Sequence, residues 1–259
     1  NLKLDGEWLG MESQPRSAFV VAGGKPQIMQ DLAYEGRAFF PKLGTFINIK
    51  GINRARIAGD VVLYTHYYGP STKTNQWGCE VRIANNGEVT EVSKNGNMKI
   101  DKDSVVLSAH GDAAKILERL QVGDHVRLRE TLGSEKADEA ELVLGAGPSL
   151  VTNGKADVRS AEENIAGDIA RGRAPRTAIG VKKDGTVILL VVDGRSRSSA
   201  GMSLQELADY MVKLGAVQAL NFDGGGSSEM VLDGKILNNP SDGRERAVSV
   251  GLGVFPTRG

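Results

Sequence analysis

Cysteine is nearly missing from this chain. Cys79 is the only one in 259 residues, which excludes an intrachain disulfide and a cysteine-built zinc site. Histidine is almost as scarce: His66, His110 and His125 are the full set, too few for a His-rich metal centre. Metal binding is left unassigned, and no cofactor is expected. An excess of either charge is also lacking. Lys+Arg and Asp+Glu both count 32, so no global field draws the chain to nucleic acid or an anionic membrane. A local basic pocket for a small anion is still compatible with neutrality. No run of 18 apolar residues occurs, so no membrane-spanning helix is expected. Asn1 stands where a Met or a signal-like stretch is usual, and the expectation is a chain trimmed from something longer.

What is abundant is glycine, at 33 residues, which points to tight turns or to backbone that approaches a ligand closely. Apolar residues at 40% and charged residues at 25% are ordinary for a globular protein. No repeat, low-complexity tract or linker interrupts the chain. One domain over 1–259 is the simplest expectation, of α+β class: a β-rich mixed sheet with a strand–helix–strand unit near the C-terminal half.

The first half reads as short strands: Arg16–Ala22, Thr45–Ile49, Asp60–Tyr67 and Ser104–Ser108. A hairpin is expected from Val81–Ala84 and Glu88–Val92 around Asn85-Asn86-Gly87. Ala113–Leu120 has helical spacing with Asp112 as N-cap, and His125–Thr131 alternates like a strand. Ala161–Ala170 reads as a weak helix. In the second half, Thr186–Val192 is nearly all apolar, as for a strand buried on both faces. Ser203–Leu214 is the best helix, with Ser203 and Glu206 as a capping box and Gly215 as its stop. Val217–Phe222 follows as a strand, which makes a parallel crossover of the whole unit. A hairpin turns at Asp233-Gly234, and Ala247–Phe255 reads as a final strand.

Two polar loops follow the two parallel strands, and loops of this kind are where open sheets place ligands. The first is Asp193-Gly194-Arg195-Ser196-Arg197-Ser198-Ser199. The second is Asp223-Gly224-Gly225-Gly226-Ser227-Ser228. Three glycines in a row can turn several N–H groups inward as an anion nest. Ser227 and Ser228 add hydroxyls, and Asp223 adds a carboxylate at the rim. Each loop also reads as an ordinary turn, with Asp223 satisfying loop amides and Arg195 and Arg197 solvated. Elsewhere, His110 after the apolar run is a candidate pocket residue or a structural one. Asn53 and Arg54 reach towards a site or serve a turn. The cluster His66, Tyr67 and Tyr68 stacks on a sugar or, more simply, packs at a strand edge.

Three blocks occur in a telling order: RTAIGVKKDGTVILLVVDGR (176–195), GMSLQELADYMVKLGAVQALNFDGGGSSEMVLDGK (201–235) and PSDGRERAVS (240–249). Together they resemble the phosphodiester glycosidase family. Weaker matches, INRAR (52–56), VLSAHG (106–111) and GAGPSLVTNG (145–154), extend the resemblance over roughly residues 45–259. It implies hydrolysis of the sugar C1–O bond of a glycosyl-1-phosphodiester, on a glycan or sugar-phosphate substrate in cell-envelope or exopolysaccharide metabolism. It also implies an extracytoplasmic setting, with a cytoplasmic one still open. The motif carries over Asp223 and Asp193 as catalytic candidates. Arg176, Arg195, Gly224, Gly225, Gly226, Ser227, Ser228, Glu245 and Arg246 carry over as binding positions, with His110 beside them. Glu245 and Arg246, neighbours at a strand start, are expected to face opposite ways. The family's Asn-Gly-Gly-aromatic block near the domain start is not found, so the chain is read as beginning after it or lacking it. Glu229 stands where relatives have a small hydroxyl or apolar residue and is expected to point into solvent. Two rival readings are a non-catalytic polysaccharide or cell-wall binding module and a phosphodiesterase cutting the P–O bond. Oligomeric state is not legible.

Overall fold

The computed structural model describes residues 1–256, apart from the Glu12 side chain. The span read as one domain holds two compact units, Asn1–Gly145 and Ala146–Gly259. The architecture is β-rich with few helices and includes a mixed sheet. No helix among the described residues is long and apolar enough to cross a membrane.

In the first unit, a broad sheet combines antiparallel ladders with one parallel pair, Gly51–Ile52 beside Val61–Tyr64. A separate three-stranded sheet is formed by Glu35–Phe40 between Thr45–Ile49 and Arg127–Thr131. Alternation explains the packing: Ala38, Phe40, Ile47 and Ile49 point into one core with Val61, Leu63, Val81 and Leu107. Strands Arg16–Ala22 and Thr45–Ile49 match the sequence reading, and the Cys79–Ala84/Val89–Ser93 hairpin matches within a residue or two. Asp60–Tyr67 shortens to Val61–Tyr64, and His66–Tyr68 becomes a single helical turn. The helix read over Ala113–Leu120 covers Asp112–Leu117. Gly111 holds the N-cap position and no side chain caps it.

In the second unit, five strands lie in the order Lys155–Ala156, Ser149–Thr152, Ala216–Asn221, Arg176–Lys182, Val187–Val192. Arg176–Lys182 pairs antiparallel with both Val187–Val192 and Ala216–Asn221. Those two flanking strands therefore run the same way and end on the same sheet edge. The helix Leu204–Lys213 between them in sequence has the capping box at Ser203 and Glu206. Its buried Leu204, Leu207, Ala208 and Met211 pack on Leu150, Val151, Ala178 and Ala219. Gly180 makes room for this contact, because a methyl group there would lie 2.5 Å from Met211 Cε.

Three expectations are corrected here. Val187–Val192 is an edge strand, not one buried on both faces. Ile188, Leu190 and Val192 face the helix, while Val187 and Leu189 are exposed. The weak helix read over Ala161–Ala170 reduces to Gly167–Arg171. Ala247–Phe255 forms no strand and lies largely exposed.

Candidate functional site

The two polar loops meet. Asp193 follows the edge strand directly, and the chain passes through Gly194, buried so tightly that a methyl group would lie 2.7 Å from Pro175 N. Arg195 then takes left-handed backbone, φ 54°, an uncommon state for a side chain of its size. The rest of the loop is stitched to itself. Ser196 N–H donates to Ser199 O at 3.0 Å, Ser199 N–H donates to Ser196 Oγ at 3.1 Å, and Ser199 Oγ donates to Asp193 O at 2.6 Å. Arg195 is exposed, and its guanidinium lies over the glycine triplet. A methyl group on Gly225 would sit 3.1 Å from Arg195 Nη1.

The triplet itself is a single helical turn, Gly225–Ser227. Its amides are less free than the sequence suggested. Gly224 N–H donates to Asp223 Oδ1 at 2.9 Å, and Gly225 N–H donates to Pro175 O at 3.0 Å. Ser227 and Ser228 N–H groups donate back to Gly224 and Gly225 carbonyls. Among the described residues, the Gly226 amide is the one of the three glycine amides with neither a backbone nor a side-chain acceptor. The anion nest is thus narrow: one amide, flanked by guanidinium groups.

The second guanidinium is Arg246. It is ion-paired with Asp242, Nη2 to Oδ2 at 2.5 Å, and the pair abuts Gly226, where a methyl group would collide with both partners. Arg176 departs from its expected role. It is buried, and its guanidinium donates to Met202 O at 2.9 Å, Ile169 O at 2.9 Å and Gly172 O at 2.6 Å. Burial first, and the Arg195 charge second, lower its pKa from the usual guanidinium value. It braces the segments beneath the loops. Ser228 is corrected likewise: it is buried, and its hydroxyl accepts from Thr177 Oγ1 at 3.1 Å. Ser227 is half-buried on the turn.

The carboxylates differ. Asp193 Oδ1 accepts from Asn239 N–H at 2.9 Å and Asn238 Nδ2 at 3.3 Å. Asp223 is exposed, and among the described residues the neighbouring Gly224 amide is its one hydrogen-bond donor. Glu229 does not simply point into solvent. Its carboxyl group lies near that of Glu245, and partial burial, then the Glu245 charge, raise its pKa. Glu245 and Arg246 therefore do turn to different neighbours, but from a loop rather than a strand start. His110 belongs to the first unit, where its Nδ1 accepts from Gly59 N–H at 3.0 Å. Asn53, also there, bonds Leu9 O and Thr65, and Arg54 pairs with Asp60.

Sequence reasoning missed Asn238. Its side chain ties Asp193 to Ser228 O at 3.0 Å and accepts from Met230 N–H at 2.9 Å, so it joins the two loops. Its only signal was a polar Asn-Asn-Pro run after a hairpin. Asp242 was missed as well. Among the described residues, no group of three His, Cys, Asp or Glu side chains is placed to hold a metal ion.

A family model described as phosphodiester glycosidase matches residues 78–255. The SPbeta prophage-derived uncharacterized protein YomE of Bacillus subtilis is 46% identical over 74 residues, 29% of this chain and 12% of that protein. N-acetylglucosamine-1-phosphodiester alpha-N-acetylglucosaminidase of Bos taurus is 43% identical over 67 residues, 26% of this chain and 12% of that protein. The matched stretch thus spans about an eighth of the length of these curated relatives. Among solved structures, a hypothetical protein from Synechocystis superposes with TM-score 0.79 at 24% identity, covering 93% of this chain and 45% of that one. A Burkholderia pseudomallei protein superposes with TM-score 0.79 at 23% identity, covering 93% of this chain and 57% of that one. At these identities the two structures establish a shared fold.

Proposed function

This chain belongs to the phosphodiester glycosidase family, and from that premise we propose that it hydrolyses the sugar C1–O bond of a glycosyl-1-phosphodiester. The observation that carries the reading is Arg195 lying over Gly225, on the loop that begins with the exposed Asp223 carboxylate. A guanidinium, a free Gly226 amide and the Ser227 hydroxyl suit a phosphodiester oxygen. Asp223 then lies beside the sugar held by that group.

In this mechanism the water oxygen bonds to C1 as the C1–O bond breaks. The bonding electron pair leaves on the phosphate oxygen, and Asp223 takes the water proton. The leaving group is an anion already favoured by Arg195, so electrostatic stabilisation supplies much of the rate. Asp223 also faces the positive charge that develops on the sugar ring. Asp193, with its carboxylate tied to Asn238 and Asn239, holds the loop that carries Arg195. Arg246, neutralised by Asp242, shapes the pocket. We extend the reading to envelope or exopolysaccharide sugar phosphates outside the cytoplasm, following the family resemblance.

Hydrolysis in ¹⁸O-labelled water tests the bond. The label is expected on the sugar C1 hydroxyl. Label on the phosphate would mean P–O cleavage and a phosphodiesterase. Binding without any turnover across a panel of glycosyl-1-phosphodiesters would mean a carbohydrate-binding module.

A further inference from the structure

The three-stranded sheet of the first unit carries an unusual outer face. Its inner face is the core residues Ala38, Phe40, Ile47 and Ile49. By alternation, Arg37, Phe39, Phe46, Asn48, Arg127 and Arg129 point the other way. The register sets them in a grid. Arg127 lies opposite Phe39, which lies opposite Phe46; in the next row Arg129 lies opposite Arg37, which lies opposite Asn48. The three arginines and Phe46 are exposed. The Phe39 and Phe46 rings are 5.6 Å apart, and the Arg37 guanidinium sits 5.6 Å from the Phe46 ring centroid.

This charge is not matched by ion pairs. None of the three arginines has an ion pair among the described residues, although Lys+Arg and Asp+Glu balance over the whole chain. Glu130, between Arg129 and Thr131, turns inward and accepts from Tyr34 OH at 3.0 Å. Glu35, at the far end of the central strand, is the one carboxylate on the outer face. Like charges directly opposite on a sheet destabilise it, and Arg37 faces Arg129 in this way. Same-face neighbours across and along such strands have their Cβ atoms roughly 5–7 Å apart. That spacing fits closely set anionic groups, and the adjoining row of rings offers apolar faces for stacking.

We propose that this face binds an anionic polysaccharide. Its acidic substituents meet Arg37, Arg127 and Arg129, and its sugar rings lie on Phe39 and Phe46. The choice of a glycan over a nucleic acid rests on the functional reading above. The test is calorimetry of the full chain with phosphomannan, neutral mannan and poly(U), at about 0.05 and 0.2 M salt. Phosphomannan is expected to bind and to weaken with salt. The double variant Arg37→Gln/Arg129→Gln is expected to weaken it by about tenfold or more, and Phe46→Ala to weaken it at unchanged salt dependence. Turnover of a small glycosyl phosphodiester by the double variant is expected to equal the wild type. Unchanged phosphomannan affinity in a folded double variant, equal binding of neutral mannan, or tighter binding of poly(U) would each overturn the proposal. A wild type that turns over no glycosyl phosphodiester, but whose phosphomannan binding fails in the double variant, sinks the hydrolase reading and keeps this face.

Discussion

Glu80 and Asp223 are two carboxylates in opposite situations. Glu80 is fully buried in the first unit and accepts from Thr72 Oγ1 at 3.2 Å, Thr74 Oγ1 at 2.8 Å, Met98 N–H at 2.9 Å and Ser108 Oγ at 2.7 Å. Asp223 in the second unit is exposed and accepts from one neighbouring amide. The first has every lone pair engaged by protein and pins the segments around residues 72–74 and 98 to the strand Ser104–Ala109. The second is open to a ligand. On the proposed mechanism, what suits Asp223 to its role is the lack of internal partners, not burial.

The strongest challenge to this contrast is Asp223→Asn. It is expected to cut kcat by about a hundredfold or more while the circular dichroism spectrum is unchanged. Near-normal turnover would remove Asp223 from the chemistry. Glu80→Leu is the mirror experiment. Four donors lose their acceptor inside the protein, and a loss of about 3 kcal/mol or more in urea unfolding is expected. A neutral outcome would mean that the cluster carries no structural weight.

Gly180→Ala sharpens the comparison from the packing side. The added methyl would meet Met211 Cε at 2.5 Å and Ala216 Cβ at 3.2 Å. Met211 is flexible at that end, so the expected cost is about 1–2 kcal/mol by thermal or urea unfolding. The smallest effect concerns Glu229, whose carboxyl is held above its ordinary value of 4.5, first by partial burial and then by Glu245. The folded state favours its protonated form. Its contribution is therefore complete below the ordinary value and fades as pH rises through the raised one. Glu229→Gln is expected to narrow the difference in Tm between about pH 4 and pH 7, and an unchanged difference would reject the coupling.

The sequence was most legible where local signals and packing agree. The capping box at Ser203 and Glu206 and the stripe of Leu204, Leu207, Ala208 and Met211 predict the helix with its ends. The two aspartate-led loops were legible because parallel strands deliver their ends to one edge. The strand Arg176–Lys182 that lies between them was not recognised, since Thr177 and Gly180 break its apolar run. The continuous apolar run Val187–Val192 mimicked a buried strand although one side faces outward. Ala247–Phe255 read as a closing strand, but no strand forms there. Arg176 carried a binding motif, but only its three carbonyl acceptors reveal a bracing role. The Glu229–Glu245 contact spans a hairpin and a loop, a separation no local pattern encodes.

If Arg195 holds the phosphodiester as proposed, the self-bonded turn Ser196–Ser199 also bears on the thermodynamics of capture. A long arginine on a slack loop loses much rotational and backbone freedom when it clasps an anion. Here the backbone at Arg195 is already confined to one rare dihedral basin by the serine cross-bonds on its flank. Less disorder is left to remove when a ligand arrives, so more of each new contact appears as affinity.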